Sequence, residues 1–314
     1  MNFRGGDIIS VDQFDLPSIT QLFNLARRMK EIASGQARCK VLDGYILGNL
    51  FYEPSTRTRM SFASAFMRLG GQVNSSTGIT NSSIAKGETL ADTITMIQSY
   101  CDVLVIRHPQ LGAAQEAANF SKVPVINAGD GTGEHPTQAL QDLFTIFEER
   151  ESVDNATIAL VGDLKFGRCP HSLVNLLALY KGIRFIFIAP PQLQMPGKFV
   201  QTIRGKGFNV VQTDDLDAGL KEADVIYWTR IQDERIEQKD ILDGVKETYI
   251  LNRAKVETVC KRDVTILHPL PRIHELSPDV DALPNAAYFR QASNSILVRM
   301  ALLLLVLGKE DQLI

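Results

Sequence analysis

Short apolar runs bounded by turn residues recur along the chain: "YILGNLFY" (45–52), "VLVIRH" (103–108), "VPVIN" (123–127), "TIALVGD" (157–163), "RFIFIA" (184–189), "NVVQT" (209–213), "DVIYWTR" (224–230) and "VTILHP" (264–269). Each predicts a strand. Between them the apolar positions take helical spacing. Phe62, Phe66 and Leu69 stand at i, i+4 and i+7, so a helix there buries one face, and Gly70-Gly71 stops it. "HPTQALQDLFTIFEER" (135–150) predicts a helix ending in charge, and the polar turn "ESVDNA" after it separates two halves of the chain. A last helix over 292–307 is apolar on nearly all sides and is expected to be buried. Apolar runs alternating with helices predict an α/β fold with largely parallel sheets. A length of 314 residues suits two such domains.

Composition adds exclusions. A net charge of −3, with 22% charged residues, lacks the basic excess of a nucleic-acid binder. The N-terminal "MNFRGGDIISVDQFDLPS" has no apolar signal core, and the longest apolar stretch, "ILVRMALLLLVLG", is short and carries Arg299, so no membrane span is expected. Cys39, Cys101, Cys169 and Cys260 lie far apart, which predicts neither a disulfide framework nor a zinc site and fits a reducing cytoplasm.

The candidate chemistry lies at the predicted strand ends. In "FYEPSTRTRMSF" (51–62) a helix opens on Ser55, Thr56, Arg57, Thr58 and Arg59. Ser55 alone would cap it. The surplus donors, added to the unpaired N–H groups and partial positive charge of a helix start, predict an anion site, with phosphate the first expectation. Further clusters are "SSIAKGE" (82–88), "RHP" (107–109), "HPTQ" (135–138), "GDLKFGR" (162–168), "TRIQDER" (229–235) and "HPLPR" (268–272). Together they supply Arg57, Lys86, Arg107, His135, Arg168 and Arg230, with Glu53, Glu88 and Asp163 the acids nearby, which suits a ligand carrying several negative charges. Each cluster alone has a plainer reading: a capped helix start, a surface lysine at Lys86, helix punctuation at His135-Pro136, surface ion pairs at Arg168 and Arg230. "GDGTG" (129–133) lacks the Lys-Ser/Thr of a nucleotide loop, and "GDLKFG" lacks the G-x-G-x-x-G of a dinucleotide loop.

Taken in order, "FYEPSTRTRMSF", "SSIAKGETLADT", "VIRHP", "INAGDGTGEHPTQAL", "VGDLKFGR", "YWTRIQDER", "HPLPR" and "AAYFRQA" resemble the transcarbamoylase family, in its aspartate-specific branch. The resemblance implies two domains: a carbamoyl-phosphate-binding domain of residues 1–134 plus the C-terminal helix 292–314, which packs back on it, and an aspartate-binding domain of residues 135–291, with helix 135–150 connecting. It implies transfer of a carbamoyl group to the α-amine of L-aspartate in pyrimidine synthesis. Ser55, Thr56, Arg57 and Thr58 would hold phosphate; Thr58, Arg107 and His135 the carbonyl oxygen; Gln138 and the backbone of Pro269 and Leu270 the carbamoyl NH2; Arg168, Arg230 and Gln232 the aspartate. Glu53 would orient Arg107. Ser82 and Lys86 would reach the active site of the adjacent subunit of a homotrimer. Neither metal nor organic cofactor is implied, and regulatory chains are left open.

Cys169-Pro170 stands where a Thr and an aliphatic residue are expected, His274 where Asp is common, and Asp233 where Lys is usual. Two other readings remain: an enzyme acting on ornithine, against which stand "HPLP" in place of "HCLP" and the lysine loop, and an inactive binding module, against which stand the intact Arg57, Thr58, Arg107, His135 and Arg168.

Overall fold

The structure, a computed structural model, describes residues 1–78, 87–231 and 248–313. The chain divides into two compact units, Met1–Leu140 with Ser293–Ile314, and Gln141–Ala292. Each is built on a parallel sheet.

In the first unit the strands are β1 (Ile46–Phe51), β2 (Gln72–Thr77), β3 (Val103–His108) and β4 (Val125–Asp130), in the order β2-β1-β3-β4. The helices α1 (Leu16–Arg28), α2 (Lys30–Ser34), α3 (Thr56–Arg68), α4 (Leu90–Ile97) and α5 (Ala113–Phe120) surround them. β1, β3 and β4 are buried almost throughout, as parallel strands covered on both faces must be. The sequence pattern missed β2. Its residues, "QVNSST", carry one apolar side chain, and the strand exists because its backbone pairs with all of β1 at the edge of the sheet. The other edge, β4, is covered by Ile8, which exchanges backbone hydrogen bonds with Val125 and Asn127.

The helix α3 buries Phe62 and Phe66, and Leu69 closes it at no exposure. A Cβ at Gly71 would lie 2.2 Å from the Phe66 ring, so the glycine pair both ends the helix and admits the ring.

In the second unit β5 (Thr157–Val161), β6 (Arg184–Ile188), β7 (Asn209–Thr213), β8 (Val225–Trp228) and β9 (Thr265–Leu267) run in the order β7-β6-β5-β8-β9. The helix α6 (Pro136–Arg150) carries the chain from the first unit into the second, the seam falling after Leu140. Here α7 (Arg168–Leu177), α8 (Gly197–Gly205), α9 (Leu216–Glu222) and α10 (Arg253–Val259) join successive strands. The last helix, α11 (Tyr288–Leu307), begins four residues before the expected 292 and returns the chain to the first unit. It is long and apolar enough to cross a membrane by length and composition, yet Leu297–Val306 are buried in the first unit, where the Gly5 N–H donates to the Val306 carbonyl.

Candidate active site

In the first unit the chain leaves β1 toward β2 on one side and leaves β3 toward β4 on the other. The carboxyl ends of β1 and β3 therefore flank the point where the winding reverses, the place in open α/β sheets where ligands collect. Glu53 and the first turn of α3 follow β1. Ser55 occupies the expected N-cap position with extended backbone (φ −160°, ψ 104°), but its hydroxyl makes no capping bond to the helix. Thr58 is buried, while Thr56 and Arg57 reach the surface. Burial of part of its guanidinium lowers the pKa of Arg57 from the ordinary value. An arginine remains charged through such a shift.

Arg107 lies next to last on β3, in register with Phe51 of β1. Its Nη1 donates to the Ala128 carbonyl of β4 at 3.3 Å, and Nη2 stands 3.2 Å from Glu53 Oε1, the pairing expected from the sequence. One guanidinium thus spans the ends of three strands. Beyond β4 the turn to His135 is pinned twice. The Asp130 carboxylate accepts from the N–H groups of Gly112 and Glu134, each at 3.0 Å. The Glu134 carboxylate accepts from the Ser10 hydroxyl at 2.6 Å and the Val11 N–H at 2.8 Å. His135, 3% exposed, is delivered at the amino end of α6, with Gln138 buried in its first turn.

The second unit repeats the plan at the ends of β5 and β8, where its winding reverses. Gly162, at φ +111°, lies so close to Thr229 that a Cβ would stand 2.2 Å from the Thr229 carbonyl oxygen. Only glycine fits. From there the loop turns into α7, held by the Asp163 carboxylate accepting from the Phe166 N–H (2.9 Å) and by His171, whose Nε2 donates to the Leu164 carbonyl (2.7 Å). Arg168 is the first residue of α7 and only 7% exposed. The unexpected Cys169-Pro170 falls in that first turn, where proline costs no hydrogen bond, and the helix runs on unbroken. Arg230 comes two residues past β8 and is half-buried.

Pro269 and Leu270 follow β9. Leu270 has a left-handed backbone (φ 56°) and a cis bond to Pro271. Its N–H donates to His268 Nδ1 at 2.8 Å, which leaves the ring proton on Nε2, donated to Glu275 at 2.9 Å. Burial pushes the Glu275 carboxyl up, but bonds from His268 and backbone N–H groups outweigh it, and the group ends below its ordinary value. The His268 N–H donates to Gln291 Oε1 (2.8 Å), Gln291 donates to Asp142 (2.6 Å), and the Tyr227 hydroxyl donates to the same carboxylate (2.7 Å). Sequence reasoning gave none of these five residues a role. The available signal was a titratable pair, His268 and Glu275, bracketing a proline-rich turn.

The first unit thus gathers Glu53, Ser55, Thr56, Arg57, Thr58, Arg107, His135 and Gln138 at the carboxyl ends of its strands. The second gathers Arg168, Arg230, Pro269 and Leu270 past the carboxyl ends of β5, β8 and β9. Ser82, Lys86 and Gln232 lie outside the described residues.

Comparison with known proteins also divides the chain in two, with the boundary past most of α6 and with the last helix counted in the second domain. Residues 6–148 match "Aspartate/ornithine carbamoyltransferase, carbamoyl-P binding domain", and residues 154–306 match "Aspartate/ornithine carbamoyltransferase, Asp/Orn binding domain". The chain belongs to the aspartate/ornithine carbamoyltransferase family. Within this carbamoyltransferase family it is 46% identical to the aspartate carbamoyltransferase catalytic subunit of Dichelobacter nodosus, over 98% of this chain and 91% of that one. It is similar to the solved aspartate transcarbamoylase of Trypanosoma cruzi in complex with N-(phosphonacetyl)-L-aspartic acid, at 43% identity and a TM-score of 0.92, covering 97% of each chain. The catalytic subunit of M. jannaschii aspartate transcarbamoylase gives a TM-score of 0.90 at 42% identity, over 98% of this carbamoyltransferase and 99% of that one.

Proposed function

We propose that the chain transfers the carbamoyl group of carbamoyl phosphate to the α-amine of L-aspartate, giving N-carbamoyl-L-aspartate and phosphate in de novo pyrimidine biosynthesis. The observation that carries the reading is the pair of cationic clusters at the two winding reversals, on a chain whose relatives bear that enzyme's name.

Ser55, Thr56, Arg57 and Thr58 bind the phosphate with helix-end N–H groups and side-chain donors. Thr58, Arg107 and His135 donate to the carbonyl oxygen as it gains negative charge, and Gln138 with the backbone of Pro269 and Leu270 holds the carbamoyl NH2. Arg168, Arg230 and Gln232 bind the dicarboxylate, a guanidinium fork matching a carboxylate in bidentate fashion. The attacking group is the substrate's own amine, so the protein supplies no nucleophile. The amine adds to the carbonyl carbon, the carbon–oxygen bond to phosphate breaks, and the departing phosphate takes the amine proton. Holding the two reactants in line accounts for about 7–11 kcal/mol of barrier lowering. Glu53 keeps Arg107 aimed.

The reading extends to a cytoplasmic homotrimer in which Ser82 and Lys86 serve the adjacent subunit's site, an assignment supported by the sequence motif alone. Mixing inactive Lys86→Ala and His135→Ala chains and allowing exchange restores roughly a quarter of parental activity, because each site draws its pocket and its loop from different chains. Activity that stays at the mutants' level in verified mixed trimers excludes the shared site. For the reaction itself, purified protein forms carbamoyl-aspartate from carbamoyl phosphate and aspartate. Product with ornithine instead identifies the sister activity, and product with neither identifies a binding module.

A further inference from the structure

Arg299 is the charged residue in the buried stretch of α11, 2% exposed among Leu297–Val306. Its Nη1 donates to the Ser61 hydroxyl of α3, and the guanidinium carbon lies 4.7 Å from the centroid of the Phe62 ring. Ser61 Oγ in turn donates to the Arg57 carbonyl at 2.6 Å and lies 3.1 Å from the Thr58 carbonyl. A hydroxyl has one proton. With an oxygen lone pair of Ser61 occupied by the guanidinium, that proton is directed at the carbonyls of the first turn.

We infer that Arg299 is a positioning residue for the phosphate half of the site, holding the first turn of α3 through Ser61. The inference rests on the reading of that turn as the phosphate cradle. Burying a guanidinium is costly, because arginine cannot shed its proton to escape an apolar setting. A purely apolar helix would pack α11 without that cost. The cation does two things at α3. It polarises the Ser61 hydroxyl, which strengthens the bond that fixes the Arg57 and Thr58 backbone. It also places a full positive charge beneath the helix end whose partial charge already favours an anion. The carbonyls it ties down belong to the two residues assigned to the phosphate and to the carbonyl oxygen.

The test measures binding of inorganic phosphate by calorimetry, the Michaelis constants for both substrates, and urea unfolding, in the full chain and in Ser61→Ala, Arg299→Met, Arg299→Lys and the double variant Ser61→Ala/Arg299→Met. Ser61→Ala weakens phosphate binding about fivefold and raises the carbamoyl-phosphate KM in step, with the aspartate KM unmoved. Arg299→Met, which keeps the side chain's bulk without its charge, weakens phosphate by about tenfold, and the double variant is no weaker than Arg299→Met, because both changes cut one relay. Arg299→Lys retains the charge without the fork and falls between. If Arg299→Met does not fold, Ser61→Ala decides. A brace with no bearing on the anion lowers the unfolding midpoint and leaves phosphate affinity where it was, and that result overturns the inference. A parent chain that does not bind phosphate overturns the reading of α3 and this inference with it; a parent that binds it while both variants bind equally well overturns this inference alone.

Discussion

The two units carry out one plan with different support. Both set cations at the carboxyl ends of a parallel sheet, beside the strands where the winding reverses. In the first unit the supports are charged: Glu53 holds Arg107, and Asp130 and Glu134 pin the turn before His135. In the second the loops are held by both kinds of group: His171 on the Leu164 carbonyl and His268 on the Leu270 N–H are neutral imidazoles, while the Asp163 carboxylate accepts from the Phe166 N–H and the Glu275 carboxylate from the Ile273 N–H and His268. Beside the phosphate cradle proposed for the first unit a carboxylate would repel the ligand unless an arginine neutralised it, as Arg107 does for Glu53. A neutral imidazole can fix a loop backbone without adding charge, which suits the dicarboxylate proposed for the second unit. The difference teaches that the same backbone task is open to a carboxylate or to an imidazole, and the second unit divides it between them.

The largest effects should separate the units by substrate. His135→Ala lowers kcat by about a hundredfold, the loss typical of one donor to a developing oxyanion, and single-turnover kinetics reads it. Arg57→Ala abolishes carbamoyl-phosphate binding while the urea midpoint stays at the parent value, since the side chain reaches solvent; unchanged phosphate affinity would contradict the assignment. Arg230→Ala instead raises the aspartate KM and spares phosphate affinity, and a comparable loss for both ligands dissolves the contrast between the units.

Smaller effects probe the supports. Tyr227→Phe removes a buried donor from the Asp142 carboxylate and costs about 1–3 kcal/mol in urea unfolding. Glu53→Gln shifts that stability by less than about 1 kcal/mol, because the pair is partly exposed, and acts mainly on kcat through the aim of Arg107. The smallest effect concerns pH. The Glu275 carboxyl is depressed in the folded chain, so its contribution is complete above about pH 5 and is lost as pH falls through the folded value. Glu275→Gln flattens the acid limb of the stability curve, and an unaltered limb assigns it to other carboxylates such as Asp224, also held below its ordinary value.

The long buried strands were legible because parallel strands covered on both faces need unbroken apolar runs, as in "VLVIRH". β2 was not, because an edge strand recruited by its neighbour's backbone needs no such pattern. The donor-rich helix start at α3 was legible because its donors are contiguous in "STRTR". Ser55 shows the limit of that reading. Its capping position could be named, but whether the hydroxyl serves the helix depends on side-chain geometry that no spacing encodes.

By itself the sequence determined the α/β class, the ordered clusters of cations and hydroxyls, and the family. These follow from local patterns: apolar periodicity, turn chemistry and motif order. The tertiary structure alone decided which strand ends adjoin, that one guanidinium at Arg107 spans three of them, and that Arg299 and Ser61, remote in sequence, meet beneath the first turn of α3. Those contacts join residues whose separation along the chain carries no period. A hydrogen bond is decided within a few tenths of an ångström, a precision set by packing the whole unit and by no stretch of it alone.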